Sequence, residues 1–213
     1  SNASRRSTTS LDKSDNRSVI NNRINFTEGV KTWSFGLKYE TTTLNNGILG
    51  EGVETKGGDL RFTILNTFYV KKKHALAAGL EFTLPTGSLG FGSQYLSVNP
   101  SIAYIYTINP GLIFAMQPQY TFHIAKDNAF PDLSVLTIRT FFAKFQKTGW
   151  FYALEPRIVH DFVNDNFNLI FSPIIGKSIG GGYNLGTVLE FPTKKETIDN
   201  RGILFQIGIT KNF

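Results

Sequence analysis

The chain has 213 residues, 41% of them hydrophobic, 14% aromatic and 18% charged, with 20 glycines, no cysteine and a formal net charge of +6. That composition excludes a disordered chain, a disulfide scaffold and any cysteine-based metal centre, and the length suits one domain or two small ones. No run approaches the roughly 18 apolar residues of a membrane-spanning helix, which rules out a helical bundle in a bilayer but says nothing of strands that cross one.

Residues 1 to about 30 are rich in Ser, Asn, Thr and Arg, and Ser1-Asn2-Ala3 reads as a cloning scar. This stretch is expected to be a flexible periplasmic leader. Much of the positive excess lies in it, at Arg5, Arg6, Lys13, Arg17 and Arg23, as on a solvated arm. The domain proper is expected over 31–213.

From Thr32 onward about ten segments alternate with a period of two, and no window shows helical spacing. Trp33, Phe35, Leu37 and Tyr39 alternate with polar or small residues, and so do Leu60, Phe62 and Ile64, then Leu76, Ala78, Leu80 and Phe82. The pattern continues through Leu96 to Tyr106, Leu112 to Phe122, about Leu133 to Phe145, Trp150 to Ile158, Phe167 to Ile175 and Tyr183 to Phe191. It ends with "GILFQIGITKNF", which sets Phe205, Ile207 and Ile209 against Gln206 and Gly208.

Alternation alone fits either a soluble sandwich or a membrane barrel. Three features favour the barrel. The segments match the roughly nine to eleven residues a tilted strand needs to cross a bilayer and exceed the soluble norm of five or six. Tight connections such as "VKKKH" and "INPG" alternate with long ones, as short periplasmic turns do with external loops. Large aromatics (Trp33, Tyr39, Phe82, Tyr106, Trp150, Tyr152, Tyr183, Phe191) stand near segment ends, where interfacial girdles lie. The expected fold is an all-β, antiparallel, up-and-down transmembrane β-barrel of ten strands, with twelve as the alternative count. Its setting is the bacterial outer membrane, and its partners are outer-membrane lipid and lipopolysaccharide.

Two stretches carry resemblances. Gln206, Gly208 and Phe213 are similar to the carboxyl-terminal assembly signal of bacterial outer-membrane barrels, which implies the barrel-assembly machinery as a partner; Lys211 replaces a usual hydrophobic there. "GLEFTLPTGSLGFGSQYLSVNPSIAYIY", from Gly79 to Tyr106, resembles the outer-membrane family named for the meta-pathway of phenol degradation. That resemblance implies a narrow passive channel for small hydrophobic or aromatic compounds.

The alternation places Lys38, Glu40, Arg61, Glu81, His123, Arg139, Glu155, Arg157 and Glu190 on the inner wall, with signs nearly balanced. A salt-bridged filling and an open conduit both fit this set, since barrels of about eight strands are filled by side chains and open channels appear nearer sixteen. A stripe of small inward residues (Gly182, Gly186, Gly202, Gly208, Ser34, Gly36) is expected to line one seam and make room for the leader or for a ligand. Pro100, Pro118, Pro156 and Pro173 fall inside strands on the lipid face, where proline removes a ladder donor. Pro100 and Pro118 are expected within a couple of residues of each other across one hairpin, either as a weak seam that serves as a lateral exit or as a pair of bulges that only shape the barrel. A barrel enzyme acting on lipid A or peptide, and a structural or adhesive barrel, are the rival readings. His123, His160 and Asp161 are the residues an enzyme would need, yet no catalytic constellation, metal spacing, nucleotide fingerprint or folded basic face for nucleic acid is legible, and no cofactor is expected.

Overall fold

The computed structural model describes residues 2–14, 17–46, 52–193 and 203–213. Twelve strands follow one another: β1 (Asn2–Ser14), β2 (Arg17–Val30), β3 (Trp33–Asn46), β4 (Val53–Lys71), β5 (His74–Leu84), β6 (Tyr95–Asn109), β7 (Leu112–Lys126), β8 (Ser134–Phe145), β9 (Trp150–Asp161), β10 (Asn166–Gly180), β11 (Tyr183–Pro192) and β12 (Ile203–Asn212). Each pairs antiparallel with its sequence neighbours, and β1 pairs with β12, so the sheet closes into a barrel.

The burial pattern is inverted relative to a soluble domain. Buried apolar side chains are few (Leu44, Ala77, Val98, Leu204), whereas Phe35, Leu37, Phe62, Leu80, Phe171, Leu185, Phe205, Ile207 and Ile209 are all exposed. A contiguous apolar exterior of this extent is a surface built for lipid, and closure satisfies the backbone groups that lipid cannot. The soluble sandwich is thereby excluded, and the barrel is an outer-membrane one.

The two ends differ. At one end β2–β3, β4–β5, β6–β7 and β10–β11 are joined by about two residues each. Gly111 (φ 83°) and Gly182 (φ 78°) turn there in the left-handed region, and a Cβ on either would stand 2.5 Å from a carbonyl oxygen, of Phe145 and Asn212 respectively. Three strands leave this end on an aromatic: Trp33, Trp150 and Tyr183. Lys177 lies 5.0 Å from the Trp150 ring centroid and Lys211 4.3 Å from that of Tyr183. Aromatic rings with lysines beside them mark the periplasmic interface. The longer connections lie at the opposite, outer end.

The leader expected over 1–30 is corrected. Those residues supply β1 and β2, which are staves of the wall and complete a count of twelve rather than ten. The reason is visible in the outward face of β1. Arg5, Ser7 and Thr9 stand where apolar residues were sought; they pair with Phe26, Ile24 and Asn22 of β2, and the ladder hydrogen bonds, not side-chain hydrophobicity, hold the strand. Arg5 stacks on Phe26 at 5.5 Å. The side chains of Lys13 and Arg17 lie outside the described residues.

Candidate functional site

Inward-facing side chains of the membrane-spanning strands form two charged clusters on opposite walls. On β8–β11, Arg139 Nε donates to Glu155 Oε1 at 2.6 Å, Arg157 reaches the same oxygen at 3.1 Å, and Arg157 also donates to Glu190 at 3.0 Å. Register explains the grouping. Arg139 pairs with Arg157 across β8–β9, and Glu155 opposes Ser172, so two like charges that face each other are held apart by the carboxylate between them. Glu155 is buried, at 3% exposure.

On β2–β5, Arg23 Nε donates to Glu40 at 2.6 Å, Lys38 pairs with Glu81, and Thr63 donates to the same Glu81 carboxylate at 3.1 Å. Arg61 stands opposite Lys38 on β4 and acts electrostatically on Glu81. Glu40, the partner of Arg23, is among the candidate lumen residues, whereas Arg23 itself falls in the stretch expected to be a leader. The even spacing of Ile20, Ile24 and Phe26 on the other face of its strand was the available signal.

His123 sits at the outer end of β7. Its Nδ1 accepts the Leu133 N–H at 3.1 Å and its Nε2 lies 3.6 Å from Asp132, so the ring ties down the β7–β8 connection. His160 faces outward, edge-on to Phe162 at 4.4 Å, while Asp161 faces inward and accepts from the Val163 and Asn164 amides. These three groups do not converge.

Asp59 is a residue the sequence reading missed. It lies 5% exposed at the outer end of β4, where it accepts the Gly87 N–H at 3.0 Å and the Ser93 N–H at 2.6 Å. Gln94 donates to the Gly87 and Ser88 carbonyls. The Gly-rich β5–β6 connection is thus pinned over the outer mouth. Gly87 and Gly92 are required there because a Cβ on either would collide with the other's Cα and with Asp59.

The small-residue stripe is also corrected. β1 and β2 stand between β12 and β3, so Ser34 and Gly36 do not adjoin Gly208; Gly202 lies outside the described residues. The room left by Gly176 and Gly186, which pair with each other, is taken by the Phe151 ring, itself stacked on Phe145 at 5.9 Å. A cavity of about 420 Å³ opens beside these rings at the periplasmic mouth, bordered by Ser178, Asn184 and Thr210.

In the β6–β7 wall the register runs Val98↔Phe122, Ser101↔Gln119 and Tyr104↔Met116, with no ladder pairs between them among the described residues. Pro100 opposes Tyr120 and Pro118 opposes Ile102 in that register, and neither proline has an N–H to give. An apolar hollow of about 610 Å³ lies over this seam, lined by Leu80, Pro100, Ile102, Pro118, Tyr120 and by Gly79 from the wall. Pro156 and Pro173 share an unbroken β9–β10 ladder, and their gaps fall separately on the outer sides of that pair, between Arg139↔Arg157 and Phe142↔Leu154 in β8–β9 and between Phe171↔Phe191 and Ile174↔Val188 in β10–β11.

In the closing strand Gln206 and Gly208 face inward and Phe205, Ile207 and Ile209 outward, while the Phe213 N–H bonds the Ala3 carbonyl at 2.9 Å. Lys211 bends to the periplasmic turn, where its ammonium donates to the Gly181 carbonyl between the rings of Tyr183 and Phe213. A cation that reaches the interface in this way meets little of the cost of a lipid-facing charge.

The barrel is similar to solved outer-membrane structures. It matches the NanC porin with a TM-score of 0.74 at 10% identity, covering 97% of this chain and 98% of that one. The COG4313 outer membrane channel from Pseudomonas putida F1 gives 0.73 at 11% identity, covering 100% and 94%. The KdgM porin gives 0.68 at 8% identity, covering 98% and 99%. At these identities the likeness is one of fold. Among curated proteins nothing matches. The sequence profile described as "putative MetA-pathway of phenol degradation" matches residues 19–146, more than half of the chain and including most of β2, the "LPTG" turn and both seam prolines, and the chain belongs to that family.

Proposed function

We propose that the protein is a narrow passive channel of the outer membrane for small hydrophobic or aromatic solutes. One observation carries this reading: inward-facing charged side chains in mid-strand remain open to water, with Arg23 36%, Lys38 34% and Arg139 33% exposed. A fully filled barrel would bury them. Twelve strands enclose a wider interior than eight, and far less than the sixteen of a general porin, so ion pairs along both walls narrow the passage without closing it. Phe145 and Phe151 at the inner mouth add apolar surface that suits an aromatic solute. The printed family description, with its reference to phenol, supports the same solute class.

The enzyme reading has less support, since His123, His160 and Asp161 are each engaged in holding a connection or packing on the exterior. The outward belt is taken to contact lipid and lipopolysaccharide, and Gln206, Gly208 and Phe213 to serve as an address for the assembly machinery.

The test is swelling of proteoliposomes in solutes of graded size. Phenol-sized neutral solutes are expected to enter and disaccharides to be excluded. Impermeability to both would overturn the channel. A second reading, favoured by the hollow over the Pro100/Pro118 seam, gives apolar solutes a sideways route between β6 and β7 into the membrane.

A further inference from the structure

The charges that line the lumen do not cancel. On the β8–β11 wall two guanidiniums meet two carboxylates, and the cluster is neutral. On the β2–β5 wall Arg23 and Lys38 use up Glu40 and Glu81, which leaves Arg61 without a carboxylate within 4 Å among the described residues. Arg6 projects inward from β1, one step along the alternation from Thr8, which is buried and pairs with the inward Gly208. It too has no carboxylate within that distance among the described residues, where the charges that act on it are those of Arg23 and Arg139. The other inward carboxylates with little exposure, Asp59 and Asp161, stand at the outer end and are engaged by backbone amides, while Glu54 and Lys56 pair with each other near the outer mouth. Among the described residues, the middle and inner lumen therefore carries six cations (Arg6, Arg23, Lys38, Arg61, Arg139, Arg157) against four carboxylates (Glu40, Glu81, Glu155, Glu190).

Guanidinium stays charged at every attainable pH, and its forked N–H groups match a carboxylate. In a tube whose walls are poor in dielectric, a surplus of fixed charge concentrates counter-ions and repels co-ions. We propose that this passage is selective for small organic anions, carboxylates above all, and that Arg6 and Arg61 are the residues that set the preference. Their forks are the ones left to take a passing carboxylate in turn, while Phe141 beneath Arg139 at 5.1 Å offers a ring surface. The inference rests on the channel reading above and adds the sign of the cargo.

Reversal potentials of the whole protein in planar bilayers, under a potassium chloride gradient, test it. Chloride is expected to permeate about 3-fold or more over potassium at low salt, the ratio falling toward 1 in 1 M salt as the screening length shortens to about 3 Å. In the Arg6→Gln/Arg61→Gln double variant the preference is expected to vanish, and in Arg6→Lys/Arg61→Lys to persist. Unshifted heat-modifiable mobility on gels confirms that both variants fold. Benzoate is expected to enter proteoliposomes faster than benzylammonium of nearly the same size. Conductance with a ratio of 1 or less, or a ratio unchanged in the Gln variant, overturns the selectivity while leaving the channel standing. A folded barrel that passes neither ion overturns the channel and the selectivity with it.

Discussion

Glu155 shows how much a single side chain does in this wall. Its carboxylate is nearly sealed from water and separates Arg139 from Arg157, which the register sets face to face. Glu155→Gln would leave two guanidiniums opposed without their shared anion, and loss of one partner from a buried pair costs roughly 3 to 5 kcal/mol. The variant is expected to lose its heat-modifiable band at lower temperature and lower urea than the parent, whereas Glu40→Gln, which uncouples only the more exposed Arg23, is expected to shift it little. Alternation assigns a face to each of the nine candidate lumen residues, because a period of two does so without any knowledge of neighbours. Their pairing was not legible, since it depends on a register in which Arg139 meets Arg157 and Glu81 is shared by Lys38 and Thr63. Asp59 was illegible for a related reason. Its role lies in accepting backbone N–H groups from a connection some thirty positions later in the chain, and no side-chain pattern records that.

Among elements, β3 to β12 could be read because each carries a mainly apolar face for lipid, with single polar interruptions such as Asn66, Thr140, Thr187 and Lys211. β1 and β2 could not. Ser7 and Thr9 on one and Asn22 and Glu28 on the other interrupt that face, so the strands resemble polar linker although their backbones are fully paired. The β6–β7 pair presents the opposite case, with apolar faces intact and the ladder interrupted by Pro100 and Pro118. Replacement of both prolines by valine would restore two N–H donors. Hydrogen exchange over 97–104 and 116–121 is then expected to slow. If the seam is a sideways route, uptake of apolar solutes should fall while ionic conductance stays unchanged; equal uptake in parent and variant would confine the prolines to shaping the barrel.

For the molecule as a whole, the apolar exterior demands detergent, and the closed sheet demands every stave. Removal of residues 1–30 takes away two strands, so the truncated chain is expected to lose the folded, heat-modifiable species altogether rather than gain conductance as an unplugged channel would. Closure also orders events in time. Every ladder but one joins strands consecutive in sequence, and these hairpins form at small entropic cost because even the longer outer connections close loops of only about ten residues. The exception joins Ser4 to Asn212 and runs on to Lys13 and Ile203, across almost the entire chain. Non-local pairings of this kind are the slow ones. The sheet is therefore expected to reach eleven ladders with two raw edges, and its slow step is expected to be the meeting of its least apolar strand, β1, with β12.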